Sequence, residues 1–178
     1  MDNNAALKIK KPYSLLNTID RINEWAGSIC AVLLAFLAII SFYGVISRYV
    51  FSSPSYYAWD INIQLFAFIL MLSGGYTLLH EGHVSVDVIT TALSSKHAAL
   101  LKMFNSVFCF VSAITLIWFG TILGWESFQI GERMSASMWE PLFWPVKMMV
   151  PIGGVLLGLQ GIAQFVKDYH TFRNRKVK

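Results

Sequence analysis

Runs of apolar residues, broken by short polar segments, make up most of the chain. The stretches 25–47, 61–79, 103–125 and 148–166 contain no Asp, Glu, Lys or Arg. A helix needs roughly 20 apolar residues to cross a bilayer core. Because backbone groups in lipid find no water, such segments are expected to be helical. The pattern predicts an all-α integral membrane protein with four transmembrane helices.

A soluble four-helix bundle is the alternative fold with the same number of long helices. The helices of a soluble bundle would show a polar stripe toward water, and the run "ICAVLLAFLAII" (29–40) has none. Charged residues make up only 13% of the chain, against about 25% in a typical soluble domain. Cys30 and Cys109 fall inside predicted spans and are expected to be apolar packing residues rather than a disulfide.

The predicted organisation has a cytoplasmic N-terminal segment, a membrane domain and a basic tail. Residues 1–24 are expected to hold a short amphipathic surface helix, because Leu15, Leu16, Ile19 and Ile22 recur at helical spacing, with polar residues such as Asp20 opposite them. A frayed extension of the first span is the alternative. The membrane domain is 25–168, the tail is 169–178, and the spans are about 25–47, 60–80, 101–125 and 146–167.

Basic residues are distributed unevenly between the two sides that four spans define. Eleven Lys and Arg residues fall in the N-terminal segment, the second loop and the tail, and three fall on the opposite side. The positive-inside rule therefore places both termini in the cytoplasm. The basic charge fits contact with anionic lipid headgroups. It does not indicate nucleic acid, because no basic cluster is interleaved with stacking aromatic residues.

The segment "HEGHVSVD" (80–87) combines two histidines with two acids. His80 and His83 could share one face of a helix, and zinc would need two further ligands. Gly82 lies where helices commonly end, so a continuing helix is not expected. The favoured interpretation is a cytoplasmic turn, with Asp87 capping a short helix over 88–94. We therefore predict neither a metal nor another cofactor.

The charge-free spans also limit the function classes. Charges inside a membrane usually mark ion or substrate pathways, and these stretches have none. The chain is not expected to be an enzyme, and it has the character of a partner of a transporter. Two alternatives stay open: a membrane enzyme with a surface metal at His80 and His83, and a stand-alone exporter of small solutes.

Three blocks of sequence resemble one family. They are "SRYVFSSPSYYAWD" (47–60), "GGYTLLHEGHVSVDVI" (74–89) and "KMMVPIGGVLLGLQGIAQF" (147–165). Their order and spacing are similar to the small membrane subunit of TRAP transporters, the DctQ-like family, over about residues 20–170.

The resemblance implies a tripartite, sodium-coupled importer of small organic acids in the bacterial inner membrane. A large DctM-like membrane subunit would hold the substrate and sodium sites and move as an elevator. A periplasmic DctP-like protein would deliver the substrate, and the small subunit would act as a scaffold that helps to receive it. One departure concerns the block after Trp59, where many members carry glutamates and this chain has Asp60 alone.

Two groups of residues are candidates for contacts. The first lies on the outer side and is expected to contact partners. The alternative for these residues is local: Arg48 reaching lipid headgroups, Asp60 in the first turn of a helix, and a plain surface loop over 126–145. The outer candidates are Arg48, Trp59, Asp60, Glu126, Glu132, Arg133 and Glu140.

The second group is expected to pack helices together or to contact the large subunit. Small residues let helices approach closely, proline kinks a helix, and buried amides need partners. The candidates are Gln64, Gly120, Gly124, Pro151, Gly154, Gly158 and Gln160, with Gln164 also expected to face protein.

Overall fold

The computed structural model describes residues 3–80, 95–135 and 138–175, with side chains over 15–80, 106–135 and 138–169. The helices in these ranges are α1 (Asn3–Tyr49), α2 (Tyr56–Leu79), α3 (Ser95–Gln129) and α4 (Trp144–Arg175). All four helices are long and apolar enough to cross a membrane. The predicted all-helical membrane architecture with four spans is confirmed.

The helices extend further than the predicted spans. α2 begins at Tyr56 rather than at about residue 60. α3 continues to Gln129, so Glu126 lies in its last turn and not in a loop. α4 continues to Arg175, through most of the predicted tail. An apolar stretch ends where the chain leaves the lipid. A helix can continue beyond that point until its backbone hydrogen bonding is interrupted.

The N-terminal segment is not a separate surface helix, because α1 runs without interruption from Asn3 to Tyr49. Asp20, on the polar side of the amphipathic pattern, and Asn23, among its apolar positions, hydrogen-bond to side chains of α4. A polar stripe has the same spacing whether it faces water or another helix. The alternative, a continuation of the first span, is therefore the arrangement found in the described residues.

α1 packs on α2 along a regular seam. Gly44 lies against Ala58 of α2, and the Cys30 thiol donates to the Ile69 carbonyl. From Asn23 onward, a set of buried and half-buried positions of α1 recurs at alternating steps of three and four, the repeat of a left-handed antiparallel pair. They are Asn23, Ala26, Cys30, Leu33, Leu37, Ile40, Gly44 and Ser47.

α3 packs on α4 through small residues. A Cβ atom at Gly120 would lie 2.9 Å from the Pro151 nitrogen, and one at Gly154 would lie 3.0 Å from Leu116 Cβ. Such spacing lets two backbones approach closely, which is the main source of helix association in lipid. The least exposed positions of α3 again follow steps of three and four. They are Ser106, Phe110, Ala113, Ile117, Gly120, Gly124 and Ser127.

The helices form an open row in the order α1, α2, α4, α3. Among the described residues, α3 contacts only α4, while α4 packs on both α3 and α2 and also touches α1. Between 6% and 28% of the residues in each apolar stretch are buried. The described residues therefore leave most of the apolar surface of the row uncovered.

Candidate partner interface

The two ends of the row carry its polar groups. The hairpin end contains the corner between α1 and α2 and the hairpin segment between α3 and α4, whose described residues are 130–135 and 138–143. The terminal end contains the first helix near Asp20 and the fourth near Lys167, which lie together.

The corner between α1 and α2 is tightly built. Val50 N donates to the Ile46 carbonyl at 2.8 Å, and Ser47 donates its hydroxyl to the Ser53 carbonyl. Ser52 adopts a positive φ of 50°. Ser55 caps α2 by accepting from Ala58 N at 3.4 Å, a bond that satisfies one unpaired N–H of the first turn.

Trp59 and Asp60 follow this cap and point to different environments. Trp59 is 71% exposed, whereas Asp60 is 3% exposed. Because α2 begins at Tyr56, Asp60 lies in the second turn, and the local alternative, in which Asp60 is a first-turn acid, is wrong. The structure thus places an aromatic ring on the surface and a carboxylate inside.

A cavity of about 720 Å³ lies beside this corner. Arg48, Asp60 and Asn62 line it together with aromatic residues. The Arg48 guanidinium carbon lies 5.8 Å from the centre of the Tyr49 ring, a favourable cation–π distance. Arg48 and Asp60, two of the predicted outer residues, therefore line the same cavity.

The hairpin segment is a folded element rather than a plain surface loop. Gly131, with φ of 60°, ends α3 in a Schellman motif. In that motif Glu132 N donates to the Ser127 carbonyl at 3.0 Å and Gly131 N to the Phe128 carbonyl at 3.2 Å. Two short antiparallel arms follow, bridged at Arg133 and Leu142.

Hydrogen bonds from charged side chains hold these two arms in place. Lys147 at the start of α4 donates to the Glu132 carboxylate, and this hydrogen bond lowers the pKa of Glu132 from its ordinary value of 4.5. Arg133 Nη1 donates to the Glu140 carbonyl at 3.3 Å. Arg133 thus makes a contact within the segment and Glu132 ties the segment to α4, while the side chains of Glu126 and Glu140 are exposed.

Aromatic rings connect the hairpin segment to the helices. The rings of Trp139 and Tyr57 of α2 meet edge to face, with 5.2 Å between their centres. Phe128 and Trp144 meet in the same way at 5.1 Å. Such pairs stabilise by about 0.5–1.5 kcal/mol beyond the area they bury. The Trp139–Tyr57 pair therefore holds the segment against α2, and the Phe128–Trp144 pair joins α3 to α4 at the base of the segment.

The terminal end holds a buried polar network that the sequence analysis did not identify. Asn23 Nδ2 donates to Gln160 Oε1 at 2.8 Å, and Gln160 Nε2 donates to Asp20 Oδ1 at 3.1 Å. Lys167 Nζ donates to both oxygens of Asp20, at 2.9 and 2.7 Å. Asn23 and Gln160 are fully buried. The sequence does carry a signal for this network. Polar residues recur every three positions on α1, and their partners Gln160 and Lys167 lie seven positions apart on α4.

The predicted packing residues lie at different helix contacts. Gly120, Gly124, Pro151, Gly154 and Gly158 lie between α3 and α4. Gln160 joins α4 to α1, and Gln64 and Gln164 are half-buried.

The histidine segment is only partly described. His80 follows the last residue of α2, and its Nε2 lies 3.3 Å from Glu24 Oε1 of α1. Gly82, His83, Asp87 and the short helix over 88–94 lie outside the described residues. Within the described parts of the chain, no group of three potential metal ligands occurs. The metal hypothesis at His80 and His83 is therefore not tested here.

Comparisons with known proteins place these features in a family. Residues 37–171 match the family model for tripartite ATP-independent periplasmic transporters, DctQ component. A segment of 102 residues is 26% identical to the "Sialic acid TRAP transporter permease protein SiaT" of Haemophilus influenzae (strain 86-028NP). That match covers 57% of this chain and 16% of the relative, so the chain corresponds to a small part of that longer protein.

Proposed function

The chain belongs to the DctQ component family of tripartite ATP-independent periplasmic transporters, and we propose that it is a scaffold within a sodium-coupled importer. In this proposal a large membrane subunit carries the substrate and sodium sites, and a periplasmic binding protein delivers the substrate. The small subunit supports the first and helps to receive the second.

The open row of helices carries this proposal. A chain that transports alone must enclose a pathway between its helices, whereas α3 contacts only α4 within the described residues. The charge-free stretches of the spans also offer no ionised ligand for an ion or an acid. An open row that the described residues leave largely uncovered is suited to lie beside a larger membrane protein and enlarge its fixed part.

The hairpin end is the proposed receiving surface. The hairpin segment is held by its own bonds, and Glu140 within it and Glu126 in the last turn of α3 are exposed charges. Exposed charges speed the association of two proteins more than they strengthen it. The three basic residues on this side, against eleven on the other, support a periplasmic hairpin end and cytoplasmic termini in a bacterial inner membrane.

The substrate class is proposed as a small organic acid. The relative named above is a sialic acid permease protein, and sialic acid carries a carboxylate. Since this chain matches only 16% of that protein, the likeness supports an acid in general and not sialic acid in particular.

Co-purification with transport tests the proposal. The full chain, tagged, is expressed with the large and binding components from the same genome, and uptake of radiolabelled acids is measured in liposomes with and without a sodium gradient. We expect a fixed-ratio membrane complex and uptake that requires all three components and sodium. Uptake by this chain alone would contradict the scaffold role and support the exporter alternative.

Charge reversal at the hairpin end tests the receiving role separately. Glu126→Lys with Glu140→Lys should slow binding-protein-dependent uptake by about tenfold at low salt, because steering charges act mainly on association rate. The control is Arg21→Glu, an exposed charge at the terminal end, which should leave uptake unchanged. Equal effects of the two variants would argue against docking at the hairpin end.

A further inference from the structure

The two edges of the row, formed by α1 and α3, differ in their chemistry. The middle of α1, residues 31–40, consists only of Ala, Val, Leu, Ile and Phe. The corresponding part of α3 contains Thr115, Trp118 and Thr121, and all three are exposed. The edge at α1 therefore matches the hydrocarbon of lipid, whereas the edge at α3 carries polar groups.

Trp118 lies deeper in the membrane than tryptophan usually does. The charge-free stretch 103–125 has its middle at residue 114, so Trp118 is about 6 Å from the midplane, because a helix rises roughly 1.5 Å per residue. The headgroup level, where tryptophan is enriched, is about 15 Å from the midplane. The other five tryptophans lie at the ends of the charge-free stretches or beyond them. They are Trp25, Trp59, Trp125, Trp139 and Trp144.

The indole N–H of Trp118 needs a partner at this depth. The side chain is 67% exposed, and its Nε1 donates to no described residue. The hydroxyls of Thr115 and Thr121 instead donate to carbonyls of α3 itself, at 2.8 and 2.6 Å. Side chains lean toward the N-terminus of their helix, which directs the ring of Trp118 back toward the midplane. An N–H group that stays unpaired in hydrocarbon is costly.

The depth of Trp118 decides which molecule can supply the acceptor. The phosphate and ester oxygens of a phospholipid lie at the headgroup level, roughly 9 Å farther out. A soluble binding protein does not enter the hydrocarbon. Another membrane-spanning helix places carbonyl, hydroxyl or amide oxygens at this depth. In the transporter proposed above, that helix belongs to the large membrane subunit.

We propose that the outward face of α3, with Trp118 between Thr115 and Thr121, is the surface on which the large subunit packs. This inference rests on the proposed scaffold function and adds the helix face that the scaffold uses. The Trp118 N–H donates to an oxygen on a membrane-spanning helix of that subunit. The two small threonines allow that helix to approach closely, and the edge at α1 faces lipid.

Photo-crosslinking of the full complex tests which edge is covered. Benzoylphenylalanine replaces either Ile114, one turn from Trp118, or Ile39 on α1, which are 63% and 64% exposed. The chain is co-expressed with the large subunit and irradiated in membranes. We expect a crosslink to the large subunit from position 114 and none from position 39. Equal crosslinks from both positions, a crosslink from 39 alone, a crosslink from 114 to a second copy of this chain, or none from either would overturn the α3 interface.

The same cells separate a failure of this inference from a failure of the scaffold proposal. The unaltered, tagged chain is purified from them and the retained large subunit is quantified. If the large subunit is retained but position 114 does not crosslink to it, the scaffold proposal stands and the α3 interface is overturned. If the large subunit is not retained by the unaltered chain, the scaffold proposal fails, and the interface fails with it.

Two substitutions on α3 test the hydrogen bond of the indole. Trp118→Phe removes the N–H and keeps an aromatic ring. It should weaken the affinity for the purified large subunit in detergent micelles about threefold, the effect of one hydrogen bond between membrane helices. The matched control is Trp125→Phe, an exposed position of α3 at the headgroup level, where water accepts from the N–H, and its affinity should be unchanged. Circular dichroism checks that both variants are folded. Equal losses in the two variants, or no loss in Trp118→Phe, would overturn the role of Trp118.

Discussion

The two ends of the row both use an ion pair with a lysine of α4, but they use it differently. At the hairpin end, Lys147 bonds Glu132 only 15 positions away, and both side chains are about a quarter exposed or more. At the terminal end, Lys167 bonds Asp20 across 147 positions, and the same carboxylate accepts from the fully buried Gln160.

The difference indicates which end determines the assembly of the helices. A local pair closes an element that is already held together by the chain, so its loss is expected to change that element alone. A long-range pair joined to buried amides connects α1 to α4, and removing one partner leaves polar atoms unsatisfied away from water. Stability should therefore respond to the terminal end and docking to the hairpin end.

The largest expected effect is at Gly75, where α1, α2 and α4 meet. A Cβ atom there would overlap the Asn23 amide and lie 3.1 Å from the Leu156 carbonyl. Gly75→Ala should lower the free energy of unfolding by about 2–3 kcal/mol, the usual effect of overpacking a tight contact. The measurement is equilibrium unfolding in mixed detergent micelles, followed by circular dichroism.

The neighbouring glycine provides the control. A Cβ atom at Gly74 would lie 4.0 Å from its nearest neighbour, Leu157 Cδ1. Gly74→Ala should change the free energy of unfolding by less than about 0.5 kcal/mol, as for substitutions without a steric conflict. If both variants unfold alike, the close approach of the three helices at Gly75 is wrong.

The second largest effect is expected at Gln160. Replacing it by leucine removes the acceptor of Asn23 Nδ2 and one donor to Asp20. Gln160→Leu should destabilise by about 1–3 kcal/mol, the range for leaving buried polar groups unpaired. Gln164→Leu, on the same helix but half-buried, is the matched control and should have a smaller effect. A larger effect of Gln164→Leu would contradict the network.

The four spans were predictable because lipid imposes a simple rule on composition, and a charge-free stretch obeys it wherever its neighbours lie. The network at the terminal end was not predictable in this way, because Asp20 and Asn23 have the same spacing whether they face water or Gln160. Packing partners such as Gly75 and Asn23, far apart in the chain, leave no mark on local periodicity.

The hairpin segment illustrates a second limit. Gly131 is a recognisable helix terminator, yet Glu140 adopts φ of 47°, which is uncommon for a residue with a side chain. The apolar pattern begins near Asp60, which is why a first-turn position was considered for it. The helix in fact begins earlier, because Ser55 caps it. Turn geometry and caps depend on single backbone bonds that hydropathy does not encode.

A smaller effect is expected from the Asp20–Lys167 pair taken alone. Its side chains are 24% and 36% exposed, so the attraction is partly screened by solvent. A double-mutant cycle with Asp20→Asn and Lys167→Met should give a coupling energy of about 0.5–1 kcal/mol. The cycle is measured by the same unfolding assay. A coupling energy near zero would assign the stability of this end to the amides Asn23 and Gln160 instead.

The smallest effect on global stability is expected from acid at the hairpin end. Lys147 lowers the pKa of Glu132 below its ordinary value of 4.5, so the ionised form is favoured in the folded segment. The contribution of the pair is complete above that ordinary value and is lost as the pH falls through the lowered pKa of the folded state. The Phe143 and Met134 amides, which close the hairpin, should therefore lose protection against hydrogen exchange in acid before the helices do.

In Glu132→Gln this acid-dependent step should disappear, because no carboxylate titrates at that position. If protection in the variant falls over the same pH range as in the unaltered chain, the step belongs to another group, and the local role of the hairpin pair is refuted.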